Sequence, residues 1–125
     1  MTSTTVSVRL IVGDIPAAVA FYRDRLGFAL EAETPAFAAV VKDGLKLLLS
    51  GPRSAGGKPI GGREQAPGGW NRIMLTVADL AAEVARLRAA GVRFRGEAVS
   101  GPAGILAVFD DPSGNPIELW QPAAH

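Results

Sequence analysis

Cysteine is absent from the 125 residues, and histidine occurs once, as the terminal His125. The first absence excludes a disulfide framework, a thiol nucleophile and a thiolate metal site. The second leaves no imidazole on a fixed scaffold for a nucleophile–base pair. An excess of charge of either sign is also missing. Thirteen Lys and Arg face twelve Asp and Glu, for a formal net charge of +1. That balance gives no electrostatic reason to expect nucleic acid or a membrane surface as partner. No apolar run approaches the ~20 residues needed to span a bilayer. Met1-Thr2-Ser3-Thr4-Thr5 lacks the basic-then-apolar pattern of a signal peptide, so the cytoplasm is the expected location.

Apolar residues make up 48% of the chain and charged ones 20%, the balance of one globular domain large enough to bury a core. Its most informative feature is an internal repeat between residues 6–50 and 71–121. Arg9-Leu10-Ile11-Val12-Gly13-Asp14-Ile15 lines up with Met74-Leu75-Thr76-Val77-Ala78-Asp79-Leu80. Each segment is an apolar strand that ends on an Asp and becomes an Ala-rich helix. Val6, Val8, Leu10 and Val12 alternate with Ser7, Arg9, Ile11 and Gly13, the period of a strand with one packed face. Asp14 is placed to cap a helix carrying Ile15, Val19, Tyr22 and Leu26, which Gly27 stops. Asp79 does the same for Leu80, Val84 and Leu87, stopped by Gly91. Strands are predicted near 28–33, 36–42 and 45–50, with Asp43-Gly44 as a tight turn. In the second half they fall near 92–99, 104–109 and 116–121, and Ser113-Gly114-Asn115 takes the turn position. Both halves therefore read strand–helix–strand–strand–strand.

Residues 51–69 differ in kind. Gly51-Pro52, Gly56-Gly57, Pro59, Gly61-Gly62, Pro67 and Gly68-Gly69 predict a stretch that holds neither helix nor strand. A loop this long is either a tether between the halves or a lid. As a lid it would bring Arg53, Lys58, Ile60 and Arg63.

Phe21-Tyr22-Arg23-Asp24-Arg25-Leu26-Gly27-Phe28 and Asp111-Pro112-Ser113-Gly114-Asn115-Pro116-Ile117-Glu118-Leu119-Trp120, taken with the duplication, resemble the vicinal oxygen chelate superfamily. That group holds glyoxalase I enzymes, extradiol dioxygenases, fosfomycin-modifying enzymes and bleomycin-binding resistance proteins. The resemblance covers nearly the whole chain except the 51–69 loop. It implies an α+β fold of two pseudo-symmetric βαβββ modules, residues 6–50 and 70–122, forming a curved mixed sheet around a cavity in a homodimer.

Metal-dependent members of that family take ligands from four equivalent strand positions, often His on the first strands and Glu on the last. Counting back seven residues from Asp14 and Asp79 gives Ser7 and Arg72. The last-strand positions are Leu48 and Glu118. Only Glu118 is a good ligand, and a guanidinium stays protonated and repels a cation. No metal and no cofactor are expected. Parity places Ser7, Arg9, Ile11, Leu48, Ser50, Arg72, Met74, Thr76, Glu118 and Trp120 on the cavity face. Of these, Ser7, Arg9, Leu48, Ser50, Arg72, Met74, Glu118 and Trp120 are the expected ligand-binding residues. Arg72 is expected to pair with Glu118 across the pseudo-twofold axis. Either this pair only plugs a vestigial site, or Arg72, with Arg9, receives an anionic or carbonyl-bearing small molecule. Phe21, Tyr22 and Phe28 read as core. Trp120 is either a stacking surface for a planar ligand or a rim or dimer contact, and Trp70 a hinge anchor or lid contact. Asp110 and Asp111 serve the turn before Pro112. The implied function is a metal-free small-molecule binder of the bleomycin-resistance type. The alternative is a glyoxalase-like lyase or dioxygenase relative with Glu118 as acid/base or residual metal ligand.

Overall fold

The computed structural model describes residues 5–124. The signal-peptide reading of Met1–Thr4 and the histidine His125 lie outside the described residues. The chain divides into two compact units between Pro67 and Gly68.

The first unit contains β1 (Val8–Ile11), α1 (Ile15–Ala20), β2 (Ala29–Thr34), β3 (Phe37–Lys42) and β4 (Leu45–Ser50). Its sheet runs β1-β4-β3-β2, with β1 and β4 parallel and the other pairs antiparallel. The Asp14 carboxylate accepts from the Ala17 N–H at 2.9 Å, and Pro16 sits in a first turn whose N–H groups need no intrahelical partner. Beyond Ala20 the helix widens into π-helical geometry over Phe21–Arg25, which the apolar spacing alone does not reveal. Gly27, at φ 78°, ends it in the left-handed region. Asp43 and Gly44 both have positive φ, 49° and 83°, as a primed hairpin turn requires. Leu47 and Leu49 of β4 and Ala38 and Val40 of β3 are fully buried on the side of the sheet that packs against α1. Val12, Ile15, Val19 and Tyr22 complete that core. The Tyr22 ring meets Phe21 and Phe28 edge-to-face at 5.4 and 5.6 Å.

The second unit contains β5 (Ile73–Thr76), α2 (Leu80–Ala89), β6 (Val99–Gly101), β7 (Gly104–Asp110) and β8 (Pro116–Pro122), in the order β5-β8-β7-β6. Again only the first and last strands pair in parallel. Asp79 accepts from the Ala82 N–H at 3.0 Å. Leu80 and Leu87 of α2 are buried with Ala107, Phe109, Ile117 and Leu119. Phe109, opposite Ile117 in register, thus lies on the helix-packed face. Each unit is a βαβββ module with a four-stranded mixed sheet.

Two expectations are corrected. The strand predicted over 92–99 is reduced to Val99–Gly101 plus one bridge between Phe94 and Phe109. Gly96 at φ 79° interrupts it. The 51–69 loop does hold local structure. Ala55–Gly57 form a 3₁₀ turn capped by Ser54, whose hydroxyl accepts from the Gly57 N–H at 3.1 Å. Ile60 and Arg63 form a small antiparallel bridge around Gly61 and Gly62, at φ 60° and 76°. Both structures use what glycine permits, a positive φ or a missing Cβ. Among the described residues, no helix is long and apolar enough to cross a membrane.

Candidate functional site

In the second module, strand register sets one face. Met74 lies opposite Glu118 and Thr76 opposite Trp120 across β5 and β8. On the other side of β8, Val108 lies opposite Glu118 and Leu106 opposite Trp120. Arg72, just before β5, reaches along the sheet to Glu118. Its Nε and Nη2 both lie 2.9 Å from the same carboxylate oxygen, Oε1. Its Nη1 donates to the Trp70 carbonyl at 3.1 Å. The Glu118 side chain is 9% exposed and that of Arg72 27%. The expected pair is therefore present, but its placement is corrected. It joins neighbouring strands of one module, because β5 and β8 are bonded in parallel with Met74 beside Glu118, and does not bridge the two modules.

Next to this pair the face is apolar and open. Met74 is 54% exposed. Trp120 is half-buried, and its ring lies across Gly104. A Cβ at Gly104 would come within 2.8 Å of the indole. The same Cβ would come closer still to the Gln121 carbonyl oxygen, so both the β8 backbone and the Trp120 ring need a glycine here, a role that no local motif announces. The Gly104→Ala variant is expected to lose about 1–3 kcal/mol by overpacking and to shift tryptophan emission. Unchanged emission and thermal midpoint would show that the ring does not depend on this gap.

The first module carries a different set. Arg9 lies opposite Leu48 and Ile11 opposite Ser50 across β1 and β4, and Phe37 faces Ser50 from β3. The Arg9 Nη1 donates to the Ser50 hydroxyl oxygen at 2.8 Å, and Ser50 is fully buried. Gly56 lies against the Arg9 guanidinium so closely that a Cβ there would overlap it. Sequence reading missed Gly56, because its place depends on how the loop folds back. Ser7 precedes β1 and is exposed, while Leu48 is half-buried.

Ser7, Leu48, Arg72 and Glu118, at which the sequence resemblance implies metal ligands, thus present a hydroxyl, an alkyl chain, a guanidinium and one carboxylate already accepting from that guanidinium. Among the described residues, no three His, Cys, Asp or Glu side chains gather into a ligand cluster. This donor set does not fit a divalent cation, which needs about three N, O or S donors and an open position.

Around the second module's entry, Arg95 acts as a clasp. It meets Asp110 at 2.6 Å, donates to the carbonyls of Gly69 at 2.7 Å and Gly114 at 3.0 Å, and lies 4.7 Å from the centre of the Trp70 ring. Trp70 is 68% exposed, so it is anchored by cation–π contact rather than by burial. The Asp110 carboxylate therefore serves Arg95, while that of Asp111 organises the turn. The Asp111 carboxylate accepts from the Ser113 N–H, the Asn115 N–H and the Asn115 amide at 2.8–3.0 Å.

Residues 4–119 match the family model of the Glyoxalase/Bleomycin resistance protein/Dioxygenase superfamily. Among solved structures, the chain is similar to TnmS3, an antibiotic binding protein from Streptomyces sp. CB03234. The identity is 30% and the TM-score 0.71, over 98% of both chains. A superfamily member from Sphaerobacter thermophilus DSM 20745 has 27% identity and a TM-score of 0.74, covering 97% of this chain and 98% of that one. Lactoylglutathione lyase from Agrobacterium tumefaciens shares the fold, with 22% identity and a TM-score of 0.74 over 96% and 94% of the two chains. No curated protein matches the sequence. With its two βαβββ modules and a match over nearly all its length, the chain belongs to the Glyoxalase/Bleomycin resistance protein/Dioxygenase superfamily.

Proposed function

We propose that this protein is a metal-free small-molecule binder that sequesters an antibiotic or metabolite without transforming it. The observation that carries this reading is the Arg72–Glu118 pair, at 2.9 Å. It ties up the one carboxylate where metal-dependent relatives place their ligands. A closed pair holds no cation, yet it still presents hydrogen-bond donors. The guanidinium has five N–H groups, and its contacts to Glu118 and the Trp70 carbonyl use three. The other two suit a ligand carbonyl. Exposed Met74 and the half-buried Trp120 ring supply the apolar and aromatic surface that small-molecule sites combine with a few fixed polar groups. The likeness to an antibiotic binding protein supports the same reading.

The test is a thermal-shift screen against polyaromatic and peptide antibiotics and α-ketoaldehyde adducts, with elemental analysis of the purified protein. A true ligand at a hundred times its Kd is expected to add about 2.7 kcal/mol of stability. Added Ni, Zn, Fe or Mn is expected to change neither the midpoint nor any turnover. Stoichiometric metal with turnover would overturn the proposal in favour of a lyase or dioxygenase relative using Glu118. The proposal includes a homodimer, and light scattering is expected to give twice the 13.0 kDa chain mass.

A further inference from the structure

Each module carries an arginine near its first strand, but the two differ in electrostatic state. The charge of Arg72 is met by Glu118 at 2.9 Å. Among the described residues no carboxylate pairs with Arg9, whose guanidinium hydrogen-bonds only the neutral Ser50 hydroxyl. The residue opposite Arg9 in register is Leu48, where the second module has Glu118 opposite Met74. The duplication has placed a carboxylate in one half and an alkyl chain in the other.

The first module also holds this cation in place. The Arg9 guanidinium lies over Gly56, in a space that any side chain at that position would fill. Gly56 is fixed in turn. Its carbonyl accepts from the Gln65 amide at 2.7 Å, and the same amide reaches the Lys58 carbonyl at 2.8 Å. Ser54 donates to the Gly51 carbonyl at 2.7 Å, and Gly57 packs on that carbonyl so tightly that no Cβ fits. These contacts order a loop whose composition predicts none. Ordering an arginine side chain costs rotamer entropy, and a guanidinium already held by Ser50 and Gly56 has lost part of that freedom in advance. One of its five N–H groups is engaged by Ser50, leaving a fork suited to two oxygens of an oxyanion.

We propose that Arg9, held by Ser50 and Gly56, is an oxyanion-binding site that receives a carboxylate or phosphate group. The site lies wholly in the first module. That its oxyanion is borne by a bound small molecule rests on the function proposed above. The anion site itself does not, and the two are tested apart.

The first arm titrates inorganic phosphate into isotope-labelled protein and follows the arginine Nε–H signals. Saturable movement of the Arg9 signal is expected, with at least a tenfold loss of phosphate affinity in Arg9→Met. Gly56→Ala keeps every charge and displaces the guanidinium, so a severalfold loss is expected there too. Arg25→Gln, which removes a charge from an exposed position after α1, is expected to bind phosphate as the natural protein does. The second arm compares 2-naphthoate with its neutral amide. Tighter binding of the carboxylate, lost in Arg9→Met, shows that the oxyanion belongs to the small molecule. Phosphate binding without that preference supports the site and removes its link to the small-molecule reading. Unchanged phosphate affinity in folded Arg9→Met or in Gly56→Ala would overturn the proposal.

Discussion

Replacing Arg72 with Met lowers the stability of the protein by about 3 kcal/mol, the low end of the range for breaking a buried ion pair. The low end applies because the Arg72 side chain is 27% exposed, whereas that of Glu118 is 9% exposed. The cost arises chiefly at Glu118, whose carboxylate keeps its buried position and loses the partner bonded at 2.9 Å. Arg72→Met combined with Glu118→Leu is expected to recover most of the loss, because two apolar groups leave no charge uncompensated. Urea unfolding of the four chains closes a double-mutant cycle. A coupling near zero, with the single losses simply adding, would mean that the pair is not an energetic unit. The same variants bear on function. Arg72→Met removes the donors proposed to meet a ligand carbonyl and leaves Met74 and Trp120 in place, so binding is expected to weaken rather than vanish.

Asp111→Ala is expected to cost about 3–4 kcal/mol, since a buried donor that loses its acceptor carries a penalty of ~1–3 kcal/mol. Asp111 is buried, and its carboxylate accepts from two backbone N–H groups and the Asn115 amide. That turn delivers Pro116 into β8, the strand that carries Glu118 and Trp120. It also holds the start of the second module, because the Asn115 side-chain oxygen accepts from the Gly68 N–H at 2.9 Å. The thermal midpoint is expected to fall by on the order of 10 °C. Asp111→Asn keeps the shape and one acceptor oxygen, so its loss should be smaller. Equal midpoints for the Ala variant and the natural protein would remove Asp111 from the turn's support.

The capping aspartates, the Asp43-Gly44 turn and the alternation around β1 were legible because each depends on neighbours a few residues away. Strand parity then placed Glu118 with Trp120 and Arg9 with Leu48 and Ser50 on shared faces, as the register confirms. Legibility failed where conformation is set from a distance. The 92–99 run has apolar residues enough for a strand. Yet Arg95 bonds to Asp110, Gly69 and Gly114, and Gly96 turns the chain away from regular pairing. Glycines that read as breakers in residues 51–69 proved to be contact points, Gly56 for Arg9 and Gly57 for Gly51.

By itself, the sequence determined the duplication, the strand–helix–strand–strand–strand order and the lack of histidine and cysteine ligands. All three reside in residue types and in spacings along the chain. The sequence also anticipated the Arg72–Glu118 pair; only the tertiary structure decided that this pair lies within one module and that Arg9 meets a hydroxyl and, among the described residues, no carboxylate. Arg72 and Glu118 are 46 residues apart, and Arg9 and Ser50 are 41 apart. Their meetings depend on how parallel strands register, and charge compensation falls off within a few ångströms. Local spacing cannot encode that distance; the folded sheet supplies it.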